Sequence, residues 1–246
     1  MAKRKRREKK VEDQMRVLYE DNHLIAVWKP GGWLVQGDET GDKPLSEFVK
    51  DYIKEKYNKP GDVFLGTIHR LDRPVSGVVV FGRTTKALQR MNDLFKNRQI
   101  EKTYWAITMQ RPNPEIGTLT HWIKKDNAKN MAKALDKPSN RSKDAKKSSL
   151  DYKLLAQIGS LPLLEVKPHT GRPHQIRVQL AKIGCPIRCD VKYGAPEFHA
   201  DATIFLHARS LRFIHPVKKE EVVITAEPPK DNLWQQFRHL YRDGQM

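Results

Sequence analysis

Cysteine is nearly absent from this 246-residue chain. Cys185 and Cys189 are the only two, too few for a disulfide framework, and no secretory h-region follows the basic start. With His199, His207 and His215 nearby, "CPIRC" can be drawn as a zinc site, but structural zinc sites show two tight ligand pairs and this stretch has one loose pair, so no metal is expected. Apolar runs long enough to span a bilayer are also missing, which points to a soluble, cytoplasmic protein with no membrane partner. Acidic residues are scarce: 29 Asp and Glu stand against 46 Lys and Arg, a formal net charge of +17. Such an excess favours a polyanionic partner, nucleic acid first. A metal-dependent nuclease would need several clustered carboxylates, and only Asp72, with Asp190 a distant second, presents itself. The lone "GG" at 31–32 lacks a phosphate-loop fingerprint, so no nucleotide cofactor is implied.

What is present suffices for a packed core. Hydrophobic residues make up 38% of the chain, with five Trp, eight Phe and seven Tyr. Residues 1–12, "MAKRKRREKKVE", read as a solvated basic tail, and 13–246 as one domain with a basic insertion at about 124–149. "RVLYED", "LIAVWKP", "GVVVFGR", "IEKTYWAITM", "SLDYKLLAQI", "LPLLEVKP", "TIFLHARSLRFIHP" and "EVVITAEPP" have strand character. Helical spacing runs through Leu45, Phe48, Val49, Tyr52, Ile53 and Tyr57, through Leu88, Met91, Leu94 and Phe95, and through Leu233, Trp234, Phe237 and Leu240. "RPHQIRVQLAKIG" is punctuated as a helix by Pro173 and Gly184. The stretch 124–149, rich in Lys, Asn, Ser, Asp and Ala, is expected to be a long loop with helix around "NAKNMAKAL", facing solvent or the partner. Contiguous strands argue for an α+β fold with a largely antiparallel mixed sheet and flanking helices.

Three polar stretches interrupt these elements. In "HRLDRPVSG" (69–77), Asp72 stands between Arg70 and Arg73 where an apolar strand gives way to a turn; it could cap that turn, pair with a neighbouring arginine or face a cleft. In "TGRPHQIR" (170–177), His174 and Arg177 lie three apart and share a helical face, with Ile176, Leu180 and Ile183 opposite. Arg172 there suits a phosphate contact. In "EKTYWAI", Tyr104 shares a face with Lys102, and a strand tyrosine is as a rule a core residue.

Taken in order, "VWKPGGWLVQ", "HRLDRPVSG", "KTY", "HTGRPHQIR", "GCPIRCDVKYG" and "LHARSLRFIHP" resemble the RluA-type RNA pseudouridine synthases, over roughly residues 17–228. The resemblance implies an isomerase that converts specific uridines of ribosomal or transfer RNA to pseudouridine, on a sheet with a central active-site cleft. It implies Asp72 as the essential aspartate, Arg177 as its charge partner, Tyr104 packed against the target base and Leu206 lining the pocket. His69, Arg70, Arg172 and His174 become phosphate or loop contacts to the flipped nucleotide.

The reaction breaks C1′–N1, turns the base and rejoins it through C5, with no redox change and no cofactor. It needs a base out of its stack and a carboxylate kept ionised in a partly dry pocket. Attack at C1′, attack at C6 and removal of the C2′ proton with Tyr104 as acceptor all remain open. Val75, Cys189 and Gln36 depart from the family letters, which have threonine, glycine and histidine there. The RNA-binding domain that some members carry ahead of the catalytic one is missing, as in stand-alone members, and a monomer is expected. A non-catalytic RNA-binding or ribosome-assembly protein would explain the charge equally, but has no use for the Asp72, Tyr104 and Arg177 set.

Overall fold

β-branched and aromatic residues at period two build most of this protein, as a computed structural model that describes residues 15–126 and 128–237 shows. In chain order the elements are β1 (Arg16–Glu20), β2 (Leu24–Lys29), α1 (Leu45–Lys56), β3 (Gly66–Thr67), β4 (Ser76–Gly82), α2 (Thr85–Lys96), β5 (Glu101–Ile107), β6 (Ile116–Asp126), β7 (Met131–Leu135), β8 (Lys146–Ile158), β9 (Leu161–Pro168), α3 (Gln175–Lys182), β10 (Leu206–Ile214), β11 (Glu221–Thr225) and α4 (Asn232–Gln236). The basic tail, and Leu240 of the closing helix, lie outside the described residues.

The chain divides into two compact units, one of residues 1–100 and 210–227, the other of residues 101–209 and 228–246. In the first, β2 pairs antiparallel with β1 and β4, β3 also pairs with β4, and β11 pairs with the part of β10 from Ser210 onward. Every residue of β2 and β4 is buried, the pattern of strands covered on both faces. On one face Leu24, Ala26, Trp28, Val78 and Val80 pack with Ala87 and Met91 of α2 and with Leu211, Phe213 and Ile224. α2 starts where it does because the Thr84 hydroxyl accepts the Ala87 N–H at 3.2 Å. Gly82 lets that helix approach, since a Cβ there would meet the Leu88 backbone at 3.1 Å.

A charged knot ties β1 to the first unit's closing loop. Asp21 accepts from the backbone of His23 and Leu24, both at 2.8 Å, and from the Tyr19 hydroxyl at 2.9 Å, with Lys218 Nζ at 3.0 Å and His215 Nε2 at 3.1 Å. Burial favours the neutral acid, but these donors win and hold the carboxyl far below the usual range. A depressed carboxyl contributes stability at neutral pH and loses it as pH falls below the unfolded value of about 4. Asp21→Asn is therefore expected to cost about 2 kcal/mol at neutral pH, a deficit that shrinks in acid. Urea midpoints of both chains from pH 7 down to 3 check it.

In the second unit the order is β5-β9-β8-β6-β7, every pair antiparallel. The α+β expectation with a largely antiparallel sheet holds, and the β8–β9 hairpin turns at Gly159 and Ser160 as read. The 124–149 stretch differs. It is not a part-helical loop: β7 forms an antiparallel hairpin with β6, one helical turn of 3₁₀ type follows at Asn140–Ser142, and β8 begins at Lys146. Ala132 and Ile123 pack with Val178 of α3, so small residues suffice where a helix covers the hairpin. The helix after Pro173 also starts later than punctuation suggests. It begins at Gln175, and His174 sits just before it with φ 53° and ψ 21°.

Candidate active site

In the first unit the loop between β3 and β4 carries Asp72, half-buried, with Leu71 and Val75 buried on either side. The Val75 N–H donates to the Asp72 carbonyl at 3.0 Å, closing a turn across Arg73 and Pro74. Arg73 points away: its Nε donates to the Gly32 carbonyl at 3.0 Å and its guanidinium pairs with Asp42. The Gly32 N–H in turn donates to the Arg73 carbonyl at 2.8 Å, from a φ of 84° that favours glycine. The "PGG" turn and the "HRLDRP" loop are thus laced together.

Beneath them lies a residue that sequence reading missed. Lys29, at the end of β2, has 0% exposure, and its amine donates to the carbonyls of Pro30 (2.9 Å), Arg73 (3.1 Å) and Val75 (2.7 Å). Three acceptors match the three donors of an ammonium. Burial pulls its pKa down to about 7, with the Asp72 carboxylate opposing and Arg73 adding to the fall. The visible signal was a lysine ending a wholly apolar strand in "LIAVWK". Two of the three carbonyls belong to the turn that follows Asp72, so this amine props the loop that presents the carboxylate.

His69 is occupied by the fold: its Nε2 accepts the Val80 N–H at 3.0 Å and its ring stacks on Phe95 at 5.0 Å. Arg70 is exposed. Val75, one of the departures from the family letters, is 2% exposed, whereas Gln36 is exposed.

In the second unit Tyr104 is half-buried on β5 opposite Val166. Lys102, two residues earlier and on the same face, donates to the Thr170 carbonyl at 3.2 Å, so that face looks toward the loop preceding α3. Gln175 shapes the loop: its Oε1 accepts from the Thr170 hydroxyl (2.7 Å) and the Arg172 N–H (3.0 Å), while its Nε2 donates to the Ser149 carbonyl (3.0 Å). Arg172 is left exposed on it.

Arg177 is buried, and its Nε and a terminal nitrogen each donate to Asp190 at 2.7 Å, a two-pronged pair at 5% and 1% exposure. Asp190 was set aside on sequence; the signal for it was the short "CDVKYG" segment after α3. Cys189, where family members have glycine, has φ 64°, the left-handed region in which glycine is free and other residues strained. The segment therefore bends sharply just where the carboxylate is delivered. Leu206 is 3% exposed at the start of β10.

His174 and Arg177 meet at one ring, that of Tyr193. The Tyr193 hydroxyl lies 2.7 Å from His174 Nδ1, and the guanidinium sits 5.0 Å over the ring centre. Within each unit, then, two of the sequence motifs meet at one buried basic side chain: "VWKPGGWLVQ" and "HRLDRPVSG" at Lys29, and "HTGRPHQIR" and "GCPIRCDVKYG" at Arg177. No group of three or more His, Cys, Asp or Glu side chains is disposed to hold a metal among the described residues.

A family model described as RNA pseudouridylate synthase matches residues 23–182. The chain is 34% identical to tRNA pseudouridine synthase C of Vibrio parahaemolyticus, over 91% of this chain and 94% of that one. It is 33% identical to ribosomal large subunit pseudouridine synthase C of Rickettsia prowazekii, over 87% of this chain and 68% of that one. Among solved structures, human RNA pseudouridylate synthase domain containing 4 shares the fold with a TM-score of 0.76 at 24% identity, covering 98% of each chain.

Proposed function

The chain belongs to the RNA pseudouridylate synthase family and is a uridine isomerase; on that premise we propose that its substrate is transfer RNA and that Asp72 is the reacting carboxylate. The choice of RNA rests on one observation: relatives named for transfer RNA align along nearly their whole length, against 68% of the relative named for the large ribosomal subunit. The net charge of +17 suits either RNA.

Each proposed role has a physical support. Asp72 leads a turn propped by the Lys29 amine, which donates to the carbonyls of Arg73 and Val75 just after it. Arg177, its charge partner in this proposal, has a guanidinium plane already fixed by Asp190, so little ordering remains to be done at the moment of reaction. Tyr104, half-buried on a rigid strand, offers a ring face to a flipped base, with Leu206 on the pocket wall. Arg70 and Arg172 are exposed on the two loops and suit phosphates. His174 is a further contact. We also propose that the enzyme acts in the cytoplasm, as a monomer.

The base leaves C1′ through its N1, turns, and forms a new bond from C5; the C5 hydrogen departs as a proton while N1 gains one. RNA made with uridine tritiated at C5 therefore releases tritium to water as the reaction proceeds. Transfer RNA from the source organism should release about one equivalent per molecule modified, and ribosomal RNA should release none. Release from ribosomal RNA alone would transfer the substrate assignment to the ribosome, and release from neither would remove the isomerase reading.

A further inference from the structure

We infer that Tyr193 is a positioning residue, one that sets the ring tautomer of His174, fixes the plane of Arg177 and fastens both to the lysine-rich β6–β7 hairpin. The inference rests on the proposed role of Arg177 and His174 at the site.

Tyr193 closes a 3₁₀ turn at Val191–Tyr193 that follows directly on Asp190. Its own N–H and that of Ala195 both donate to the Asp190 carbonyl, at 2.9 and 3.1 Å, and Gly194 at φ 99° ends the turn. Carboxylate and phenol ring are thereby held at one fixed separation and presented to the same arginine. Asp190 takes the guanidinium edge and Tyr193 lies under its face at 5.0 Å, so neither tilt nor swing remains.

The hydroxyl does a second job. It accepts the Ala132 N–H at 2.8 Å and lies 2.7 Å from His174 Nδ1. In this assignment the phenol, accepting from the amide, gives its one proton to Nδ1. Nδ1 is then the acceptor and the imidazole hydrogen is on Nε2. The rings meet edge to face, 5.7 Å apart at 87°. His174 is held in a left-handed conformation that costs a non-glycine residue energy, a condition that persists where surroundings over-determine it.

The third connection is to the hairpin. β7 is the last strand in the second unit's order, so among the described residues its outward N–H groups find no further strand, and Tyr193 takes the one at Ala132. One residue earlier, Lys192 Nζ donates to the Asn130 carbonyl at 3.1 Å. The Tyr193 side chain also packs with Ile123, Ala132 and Val178. The hairpin carries Lys124, Lys125, Lys129 and Lys133. A polyanion that draws on those lysines pulls on a strand whose backbone is bonded to the same hydroxyl that orients His174.

Tyr193→Phe keeps the ring under Arg177 and removes only the hydroxyl. We expect kcat for tritium release to fall about tenfold, with KM for RNA changed less than about threefold, the share of general positioning effects. Tyr193→Leu, which removes ring and hydroxyl, should fall at least another tenfold, so that phenylalanine acts as a partial rescue. Nitrogen-15 spectra of the imidazole side chains, taken near pH 8 where histidine is neutral, supply a readout independent of turnover. In the native chain His174 should be the Nε2–H tautomer, and in Tyr193→Phe a mixture. A native His174 protonated on Nδ1 overturns the inference with no variant at all. Native kcat in Tyr193→Phe together with an unchanged tautomer overturns it as well. If the native protein releases no tritium from any RNA, the substrate reading fails while the tautomer measurement still decides the role of Tyr193.

Discussion

Asp72→Asn should lower tritium release by about 10⁴-fold or more, the scale seen when a reacting group is removed while its surroundings persist. Asparagine keeps the shape and the main-chain turn, since the carbonyl that accepts from Val75 is backbone. What disappears is the negative oxygen, and with it one of the influences that hold up the Lys29 pKa. The buried amine should then titrate lower still than about 7. RNA affinity should stay within about threefold and keep its salt dependence, because phosphate contacts, not this carboxylate, dominate binding. A variant that binds and turns over like the native chain would move the reacting group elsewhere. A variant that loses binding as well would make Asp72 part of the RNA surface.

The second large effect concerns the pair in the other unit. Asp190→Ala takes a two-pronged carboxylate from a buried guanidinium and should cost about 3–5 kcal/mol, a large share of the 5–15 kcal/mol typical of a folded protein. The turn that Asp190 starts through its main-chain carbonyl would be retained. Replacing both members of the pair, Arg177→Met with Asp190→Leu, removes the buried charge together with this carboxylate and should recover most of that loss, since apolar pairs of similar size often serve as well. Activity should not return with stability, because the proposed partner of Asp72 is gone. Denaturant midpoints and tritium release measured on the three chains separate the two roles. Equal stability in the single and double variants would mean that the pair is not the buried, dry contact its 5% and 1% exposures describe.

The two sites differ in how far they could be read in advance. The Asp72 loop was legible because strand, turn and strand are local, and the apolar runs on either side have few alternatives. The Arg177–Asp190 pair spans thirteen residues and a sharp bend at Cys189, and no periodicity links a helix to a turn beyond it. Lys29 was hidden for another reason: composition rules place lysine in solvent, and only three carbonyls converging from two loops make an exception possible. The β6–β7 hairpin escaped because its inward side chains are mainly Ala132, Ala134 and Ile123, too small a signal against so many lysines. His174 was placed on the helix because proline punctuation marks a start only to within a residue or two.

β10 has a consequence for how the protein is made. It belongs to the second unit up to Arg209 and to the first from Ser210, so the first unit is not contiguous in the chain. Leu211, Phe213 and Ile224, which cover the apolar face of β2 and β4, are delivered only after the roughly 110 residues that separate Ile100 from Ser210. At ribosomal speeds that interval is on the order of ten seconds. During it Leu24, Trp28, Val78 and Val80 have α2 over them but not yet Leu211, Phe213 and Ile224, and the loop that carries Asp72 rests on an unfinished core. The nascent chain thus presents an incompletely covered apolar face for the whole time that the second unit is being made.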